Sequence, residues 1–382
     1  MKLYVKGGNV VLPDQKTSNK TLVIEDQTIY DIIPYKYKPG RKDKVIDATG
    51  MWVVPGFIDI HAHGAMGNDT MDGTCEAIHI IGKFFASHGV TSYLPTVWTS
   101  TPDLMLKAIH NVSNCPQPED GARHLGVHVE GPYLNVEHRG AQIKKLIKLP
   151  DPKEYLKWFD SDIVRLVTMA PEVPGSKKLI EEAVKRGIIV SIGHSGASYE
   201  QVIEAANHGI SQATHLFNGM LGLHHRKPGT VGGILMDERI YAQIIADGIH
   251  LHPAIVELSI KIKGILKTVL ITDSIRGAGL SDGYYNDHDQ QFTVKNGIAR
   301  TPEGGLSGST LTLDRAIKNV MKFTGMSFNE VLQMATSTPA KSMGWQDKHG
   351  LLKPGADADV VLLDKNLNVK KTFVLGNEVY SK

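Results

Sequence analysis

The chain has 382 residues, of which 41% are hydrophobic and 21% are charged, and its formal net charge is +2. This composition is typical of a globular protein and argues against disorder, and so small a net charge gives no strong field to attract nucleic acid. No apolar run approaches the roughly 18 residues that a membrane-spanning helix needs, so we expect neither a nucleic-acid nor a membrane partner.

The chain contains two cysteines, Cys75 and Cys115, and neither belongs to a C-x-x-C motif. Such sparse use of cysteine fits a reducing compartment and argues against a disulfide scaffold or a cysteine-rich zinc module. The N-terminal stretch MKLYVKGGNVVLP alternates like a strand and has no long apolar signal-peptide core. We therefore expect a cytoplasmic protein.

The N-terminal 54 residues have the pattern of short strands separated by turns. They mix β-branched residues with Gly, Asp, Asn and Pro, as in KTLVIEDQTIYDIIP and DKVIDATGMWVVPG. This pattern predicts a β-rich segment.

The central part of the chain alternates short apolar runs with helical patterns whose ends are marked by capping residues. Ser198 with Gln201 has the spacing of a capping box and predicts a helix start, and Ser327 with Glu330 repeats it. A third helix is expected to begin at Ser176. Apolar runs such as GIIVSIGHS and KTVLITDS lie between the helices and predict strands.

Strand followed by helix, repeated over residues 55–349, indicates a parallel sheet with crossover helices. The length suits closure into a barrel, which needs about 250 residues. From Gly350 the chain returns to the β-rich pattern of its beginning. The predicted fold is therefore α/β: a (β/α)₈ TIM-like barrel domain over 55–349, and a small discontinuous β-sandwich domain from 1–54 and 350–382.

Polar residues of the metal-binding type stand at the ends of several predicted strands. His61 and His63 occur in PGFIDIHAHG, and because side chains alternate along a strand they project to the same side. Four later apolar runs end on one such residue each: Glu130, His194, His215 and Asp273. The C-terminal strand ends of such a barrel carry its chemistry, so we expect these side chains to meet.

A shared metal site is the simplest explanation of these strand ends. Buried imidazoles and carboxylates cost several kcal/mol unless they are paired or bound to metal. Imidazole and carboxylate without thiolate suit Zn²⁺, Fe²⁺ or Mn²⁺. The alternative is a polar network inside the barrel that binds no metal.

Longer segments carry a resemblance to a known family. They are HVEGPYLN, IGHS, THLFNGMLGLHHRKPGTVGG, ADGIH, LITDS, GLSGSTLTLDRA and GADADVVLLD. Together with PGFIDIHAHG they resemble N-acetylglucosamine-6-phosphate deacetylases of the amidohydrolase superfamily, through nearly the whole chain. The resemblance implies a metal-dependent enzyme that hydrolyses N-acetylglucosamine 6-phosphate to glucosamine 6-phosphate and acetate.

The resemblance also implies a set of metal ligands. Glu130, His194 and His215 match the principal ligands of the family, and Glu130 replaces the carboxylated lysine that bridges two metals in other amidohydrolases. His61 and His63 match the pair that binds a second metal in some members. One or two divalent metals per subunit are therefore expected.

The remaining roles implied by the resemblance concern catalysis and substrate binding. Asp273 matches the catalytic aspartate, which acts as general base on water and then as general acid on the sugar nitrogen. The substrate residues are Asn218 and Gly219 near the phosphate, Arg226 as phosphate partner, His225 as sugar contact or loop support, and His250. In the family, this last histidine reaches the phosphate of the neighbouring subunit, which implies a homodimer.

Two positions depart from the pattern of the family. Gln142 stands where many members have a histidine that contacts the acetyl carbonyl or the solvent, and an amide donates a hydrogen bond but carries no titrating proton. Ser307 lies near the expected acetyl pocket, in LSGS instead of the commoner LAGS. Three alternatives therefore stay open: an N-acetylgalactosamine-6-phosphate deacetylase, another amidohydrolase, and a non-catalytic binding homologue.

Overall fold

The computed structural model describes residues 2–14, 17–37, 39–287 and 290–382. The N-terminal strands are β1 (Lys2–Lys6), β2 (Asn9–Val11), β3 (Thr17–Glu25), β4 (Thr28–Pro34), β5 (Lys44–Asp47) and β6 (Trp52–Pro55). The strands that follow are β7 (Phe57–Ala62), β8 (Gly64–Ala65), β9 (Asn68–Asp69), β10 (Val90–Trp98), β11 (Arg123–His124), β12 (Val127–Glu130), β13 (Val164–Met169), β14 (Ile189–Ile192), β15 (Gln212–Ala213), β16 (Tyr241–Ile244) and β17 (Thr268–Leu270).

Most of the helices lie between these strands. They are α1 (Cys75–Ser87), α2 (Pro102–Asn114), α3 (Pro152–Phe159), α4 (Ser176–Lys185), α5 (Tyr199–Asn207), α6 (Gly229–Met236), α7 (Pro253–Lys263), α8 (Leu313–Thr324), α9 (Phe328–Gln333) and α10 (Ser337–Ser342). Short 3₁₀ helices cover Thr70–Asp72, Val136–His138 and Lys144–Leu146. Within the described part of the chain, no helix has the length and apolar character needed to cross a membrane.

Eight parallel strands form a nearly closed barrel, as predicted. They pair in the order β7, β10, β12, β13, β14, β15, β16 and β17. At the C-terminal end the Asp273 N–H donates to the His61 carbonyl at 2.9 Å. At the other end Leu270 and Ile58 donate to the carbonyls of residues 334 and 335, which lie between β17 and β7. Strands β7 and β10 are buried along their whole length, as expected for a parallel sheet covered by helices.

A three-stranded antiparallel sheet is inserted after the last barrel strand. It consists of β18 (Gly283–Asp287), β19 (Gln290–Lys295) and β20 (Ile298–Arg300), and it buries Phe292 and Val294 against Ile275. This sheet was not predicted from the sequence. Its last two strands are joined by a hairpin turn at Asn296 and Gly297, whose φ values are 52° and 72°. An Asn-Gly pair between apolar strands is a strong hairpin signal, so the information was present in the sequence.

The two chain ends form one small domain, as predicted. The C-terminal strands are β21 (Val360–Leu363), β22 (Val369–Val374) and β23 (Asn377–Ser381). The sheet has the order β23-β22-β21-β6-β2-β3-β1-β5, with β4 paired to β3. Side chains from both ends share one core, including Val5, Leu22, Val53, Val360 and Phe373. The exact domain limits remain a prediction.

Helices begin at all three predicted positions. Ser198 and Gln201 form the predicted capping box of α5, and Ser327 and Glu330 form that of α9. The third helix, α4, begins at Ser176 as predicted, and the Ser176 hydroxyl donates to the carbonyl of Ala170 at 3.0 Å. That contact lies outside the helix, and capping patterns therefore could not predict it.

Cys75 and Cys115 are joined in a disulfide, a pairing that the cysteine count did not predict. Cys75 is the first residue of α1 and Cys115 follows α2 directly. The two helices bring residues 40 positions apart to a Cα–Cα distance of 5.4 Å. The spacing of the two cysteines in the sequence does not predict that they lie close together in the fold. A single bond does not make a disulfide scaffold, because the barrel has a large apolar core of its own.

Candidate active site

The six polar side chains predicted from strand ends converge at the C-terminal mouth of the barrel. They form two adjacent groups, and within each group the candidate ligand atoms lie within 4.8 Å of one another. The first group consists of Glu130, His194 and His215, and the second consists of His61, His63 and Asp273. All six residues are buried.

The first group is centred on one oxygen of Glu130. The Oε1 atom lies 3.0 Å from His215 Nε2 and 3.3 Å from His194 Nε2, and these two nitrogens are 3.1 Å apart. Nδ1 of His194 donates to the carbonyl of His138 at 3.0 Å, which directs its Nε2 at Glu130. A hydrogen bond at the far nitrogen is the usual way in which a metal-binding histidine is oriented.

The second group is centred on Oδ1 of Asp273. This oxygen lies 3.2 Å from His63 Nε2 and 3.4 Å from His61 Nε2, and the two nitrogens are 3.2 Å apart. Nδ1 of His63 donates to the carbonyl of Thr96 at 3.2 Å. The second group therefore has the same construction as the first: two imidazoles and one carboxylate, with one imidazole oriented by a backbone carbonyl.

The chemistry of these atoms fits a divalent metal. Imidazole nitrogens and carboxylate oxygens point at one another, and among the described residues no lysine or arginine lines the cleft beside them. Burial would raise the pKa of Glu130, but His61 and His194 hold it well below its ordinary value. Both carboxylates are therefore anions, the form that can bind a cation, since the pKa of Asp273 falls to about 2 beside His61 and His63, against the opposing effect of burial.

The two histidines of the second group differ in protonation. Burial lowers the pKa of His61 to about 4, so this imidazole is neutral, which is its ligating form. Burial also acts to lower the pKa of His63, but its hydrogen bond to Asp273 and the charge of Glu130 raise it to about 9. A cation that binds to His63 must therefore displace a proton.

Backbone strain is concentrated at the site. His194, His215 and Asp273 have φ values of 48°, 33° and 51°. Left-handed backbone in residues other than glycine costs about 1–3 kcal/mol and persists where the surroundings enforce it. Here the Asp273 carbonyl accepts a hydrogen bond from the Ser309 N–H at 2.8 Å, and the Asp273 N–H donates to the carbonyl of His61 in β7. The strained backbone turns these side chains toward the barrel axis at the point where their strands end.

His128 lies below the metal-binding groups inside the barrel. Its Nε2 is 2.7 Å from Thr168 Oγ1, its Nδ1 is 3.2 Å from Thr96 Oγ1, and its ring packs edge-on against His61 at 4.6 Å. The sequence placed His128 on the same strand face as Glu130. In the structure it packs below His61, in contact with two hydroxyl groups.

A cleft of about 270 Å³ opens beside the two groups, close to the lower end of the range for small-molecule sites. Five predicted substrate residues line it: Gln142, Asn218, Gly219, His250 and Ser307. Its apolar wall was not predicted and consists of Trp98, Ile275, Phe292 and Leu306. Phe292 belongs to the inserted sheet, so recognition of the Asn-Gly hairpin would have been the first step toward finding it.

Two other predicted substrate residues do not line this cleft. His225 and Arg226 are exposed on the loop that precedes α6, where the Arg226 guanidinium donates to His225 Nε2 at 2.6 Å. His250, in contrast, lines the cleft of its own chain, and its Nδ1 lies 2.7 Å from Oδ2 of Asp247. A single chain therefore brings His250 to the site and leaves Arg226 outside it.

Gly219 fits against the first metal-binding group because it lacks a side chain. Its φ is +60°, and a Cβ atom there would lie 2.7 Å from His194 Nδ1 and 2.8 Å from the His138 carbonyl. Gly219→Ala should disrupt the hydrogen bond that orients His194 and weaken metal binding by about 10- to 100-fold. Metal titration of the variant measures this effect. Gly222→Ala is the matched control, because a Cβ there would meet nothing within 4 Å; equal losses in both variants would refute the argument.

Comparison with known proteins agrees with this geometry. The sequence profile of the amidohydrolase family matches residues 52–379. An N-acetylglucosamine-6-phosphate deacetylase of Lysinibacillus sphaericus is 35% identical over 98% of this chain and 97% of its own length. An N-acetylgalactosamine-6-phosphate deacetylase of Escherichia coli O157:H7 is 36% identical over 93% of each chain.

A solved structure gives the same result for the fold. The crystal structure of N-acetylglucosamine-6-phosphate deacetylase from Pasteurella multocida covers 100% of both chains with a TM-score of 0.95 and 30% sequence identity. The agreement extends over the barrel and the small domain together. The chain therefore belongs to the amidohydrolase family, and within it to the N-acetylglucosamine-6-phosphate deacetylases.

Proposed function

We propose that this chain hydrolyses the N-acetyl amide of N-acetylglucosamine 6-phosphate, releasing glucosamine 6-phosphate and acetate. The observation that carries this proposal is the pair of imidazole–carboxylate groups beside a cleft, in a chain 35% identical to such a deacetylase over nearly its full length. Amide hydrolysis needs an activated water, a polarised carbonyl and a proton for the departing amine.

The residues of the first group, Glu130, His194 and His215, would hold the principal metal, and His61 and His63 with Asp273 a second. A bound divalent cation supplies the charge that makes water acidic and polarises a carbonyl oxygen. We propose Zn²⁺, Fe²⁺ or Mn²⁺, since nitrogen and oxygen ligands without sulfur suit all three. One or two ions per subunit are compatible with the two groups.

Asp273 would move the proton. Its carboxylate is ionised and lines the cleft, so it can accept a proton from the attacking water. The same carboxyl group then delivers that proton to the sugar nitrogen as the amide C–N bond breaks. His63, whose Nε2 lies 3.2 Å from Asp273 Oδ1, would hold this carboxylate in position.

Substrate recognition would use the polar wall of the cleft. Asn218 and the backbone at Gly219 would bind the phosphate, and Gln142 and Ser307 would face the acetyl group. His250 would contact the bound sugar phosphate, with its ring oriented by Asp247. His225 would contact the sugar or support its loop.

We further propose a homodimer, because the phosphate needs a cation that this cleft lacks among the described residues. Arg226 is exposed outside the cleft and would serve the neighbouring subunit, whereas His250, to which the family pattern assigns a reach across the interface, lines the cleft of its own chain. Support comes from exposed apolar side chains on this side of the molecule, on the loop of Arg226 and on helices α6 and α7: Leu221, Leu223, Met236, Leu258 and Ile262. Such a surface is typical of a protein interface.

The division into a barrel domain at 55–349 and a small domain from 1–54 and 350–382 also remains a proposal. We propose a cytoplasmic location because a phosphorylated sugar carries charge and does not cross a membrane unaided. In that reducing compartment the disulfide between Cys75 and Cys115 would be reduced.

Acetate release is the direct test of the proposed reaction. N-acetylglucosamine 6-phosphate should be the best substrate, and removal of its phosphate should lower kcat/KM by about 10²-fold, because a phosphate partner is then left unpaired. The 6-phosphate of N-acetylgalactosamine is the comparison substrate, since one relative is named for it. Preference for that epimer would keep the mechanism and change the substrate. No turnover of either one by metal-loaded protein would refute the proposed function and favour a different amidohydrolase or a binding protein.

A further inference from the structure

Both ends of the Gln142 side-chain amide are hydrogen-bonded to other residues of the protein. Its Oε1 accepts from the backbone N–H of Thr99 at 3.1 Å, and its Nε2 donates to Oε2 of Glu130 at 2.8 Å. The side chain is buried, with 9% of its surface exposed. Because the Thr99 N–H can only donate, the carbonyl end of the amide must face Thr99 and the NH₂ end must face Glu130.

The two oxygens of Glu130 therefore have different surroundings. Oε1 faces the first metal-binding group, 3.0 Å from His215 Nε2 and 3.3 Å from His194 Nε2. Oε2 faces the second group, 3.5 Å from His63 Nε2, and is the oxygen that accepts from Gln142. Oε1 also lies 3.7 Å from His61 Nε2, so both oxygens are near the second group. A cation at His63 and Asp273 would meet Glu130 on the side of Oε2, the oxygen that already accepts this hydrogen bond.

We propose that Gln142 is a positioning residue that sets the number of bound metals. Its amide keeps Oε1 of Glu130 directed at His194 and His215, and it hinders Oε2 from bridging to a cation at His61, His63 and Asp273. The inference rests on the proposed metal sites. It also assigns a structural role to Gln142. From the sequence alone, the replacement of histidine by glutamine indicated only the loss of a titrating group.

The charges of the two cations and of the Glu130 carboxylate explain this effect. Metals that share a bridging ligand lie about 3.5–4 Å apart and repel each other, and an anionic oxygen between them offsets the repulsion. A charge-assisted hydrogen bond draws electron density from that oxygen and occupies one of its directions. The first cation then binds to a fixed carboxylate oxygen, while the second must compete with the amide.

The test is a titration of metal-free protein with Mn²⁺, followed by calorimetry and by electron paramagnetic resonance. The wild type should bind one equivalent tightly and a second far more weakly, with the six-line spectrum of an isolated ion. In Gln142→Met, which keeps the length of the side chain and removes the donor, the second equivalent should bind about 10- to 100-fold tighter. The first should bind no tighter, and the spectrum should become that of a coupled pair.

Two further variants complete the design. Gln142→Asn keeps an amide that is too short to reach Glu130 and should shift metal binding in the same direction as Gln142→Met. Gln346→Met makes the same exchange at an exposed glutamine outside the cleft and should leave both affinities unchanged. General loosening of the site would weaken both binding events, whereas removal of the amide should strengthen only the second.

The outcomes separate this inference from the proposed function. Two equivalents of similar affinity in the wild type, or an unchanged second affinity in both Gln142 variants, would overturn the role of Gln142 and leave the metal sites intact. A wild-type protein that binds no Mn²⁺, Zn²⁺ or Fe²⁺ would overturn the metal sites, and the inference with them.

Discussion

Replacing Glu130 by glutamine is expected to abolish metal binding at working concentrations, and the deacetylation with it. Among the described residues, Glu130 contacts candidate ligands of both groups: Oε1 faces His194, His215 and His61, and Oε2 faces His63. Loss of one partner from a buried charge pair costs about 3–5 kcal/mol, which corresponds to about 10²–10⁴-fold in affinity. Elemental analysis after dialysis and acetate release measure the two effects.

Glu154→Gln is the control for Glu130→Gln. Glu154 is also buried and pairs with Lys148 and Tyr133, but it lies outside the cleft. This variant should retain its metal and its activity. A Glu130→Gln protein that keeps a full equivalent of metal after dialysis would show that the ion is held elsewhere.

Asp273→Asn is expected to lower kcat by about 10²–10⁴-fold with little change in KM. The reason is that an amide cannot carry the proton from water to the sugar nitrogen, while the walls that bind the substrate are unaltered. Metal at the first group should be retained, because Asp273 is not one of its ligands. Steady-state kinetics with N-acetylglucosamine 6-phosphate, together with metal content, give the measurement.

Asp314→Asn is the matched exchange for Asp273→Asn. Asp314 lies in the first turn of α8, where its carboxylate pairs with His88, outside the cleft. Normal turnover is expected from this variant. If Asp273→Asn instead raised KM and left kcat unchanged, the aspartate would be a binding group, and the general base would have to be sought elsewhere.

The site residues at the strand ends could be predicted from the sequence. His61, Glu130, His194 and Asp273 each follow an apolar run, and in a parallel barrel such runs all end on the same face. The barrel topology therefore brings these four residues together regardless of the conformation of the loops. Asn218 and Gly219 were identified only through family motifs, because the loop that holds them has no periodicity of its own.

Other parts of the site and fold could not be predicted in the same way. Phe292 reaches the cleft from the inserted sheet, and Trp98 is the last residue of β10. Cys75 and Cys115 form a disulfide because α1 and α2 lie side by side. Each of these depends on distances between elements that are far apart in the sequence, about which local patterns carry no information.

The sequence by itself determined the barrel, the small domain from both chain ends and the six candidate metal-site residues at the strand ends. These follow from alternation, periodicity and residue chemistry, which are local properties. Only the tertiary structure decided that Gln142 binds Glu130, that His250 lines its own cleft and that Arg226 stays outside it. Side-chain contacts between loops depend on the three-dimensional course of the backbone, and the identity of a residue does not specify which neighbour it will meet.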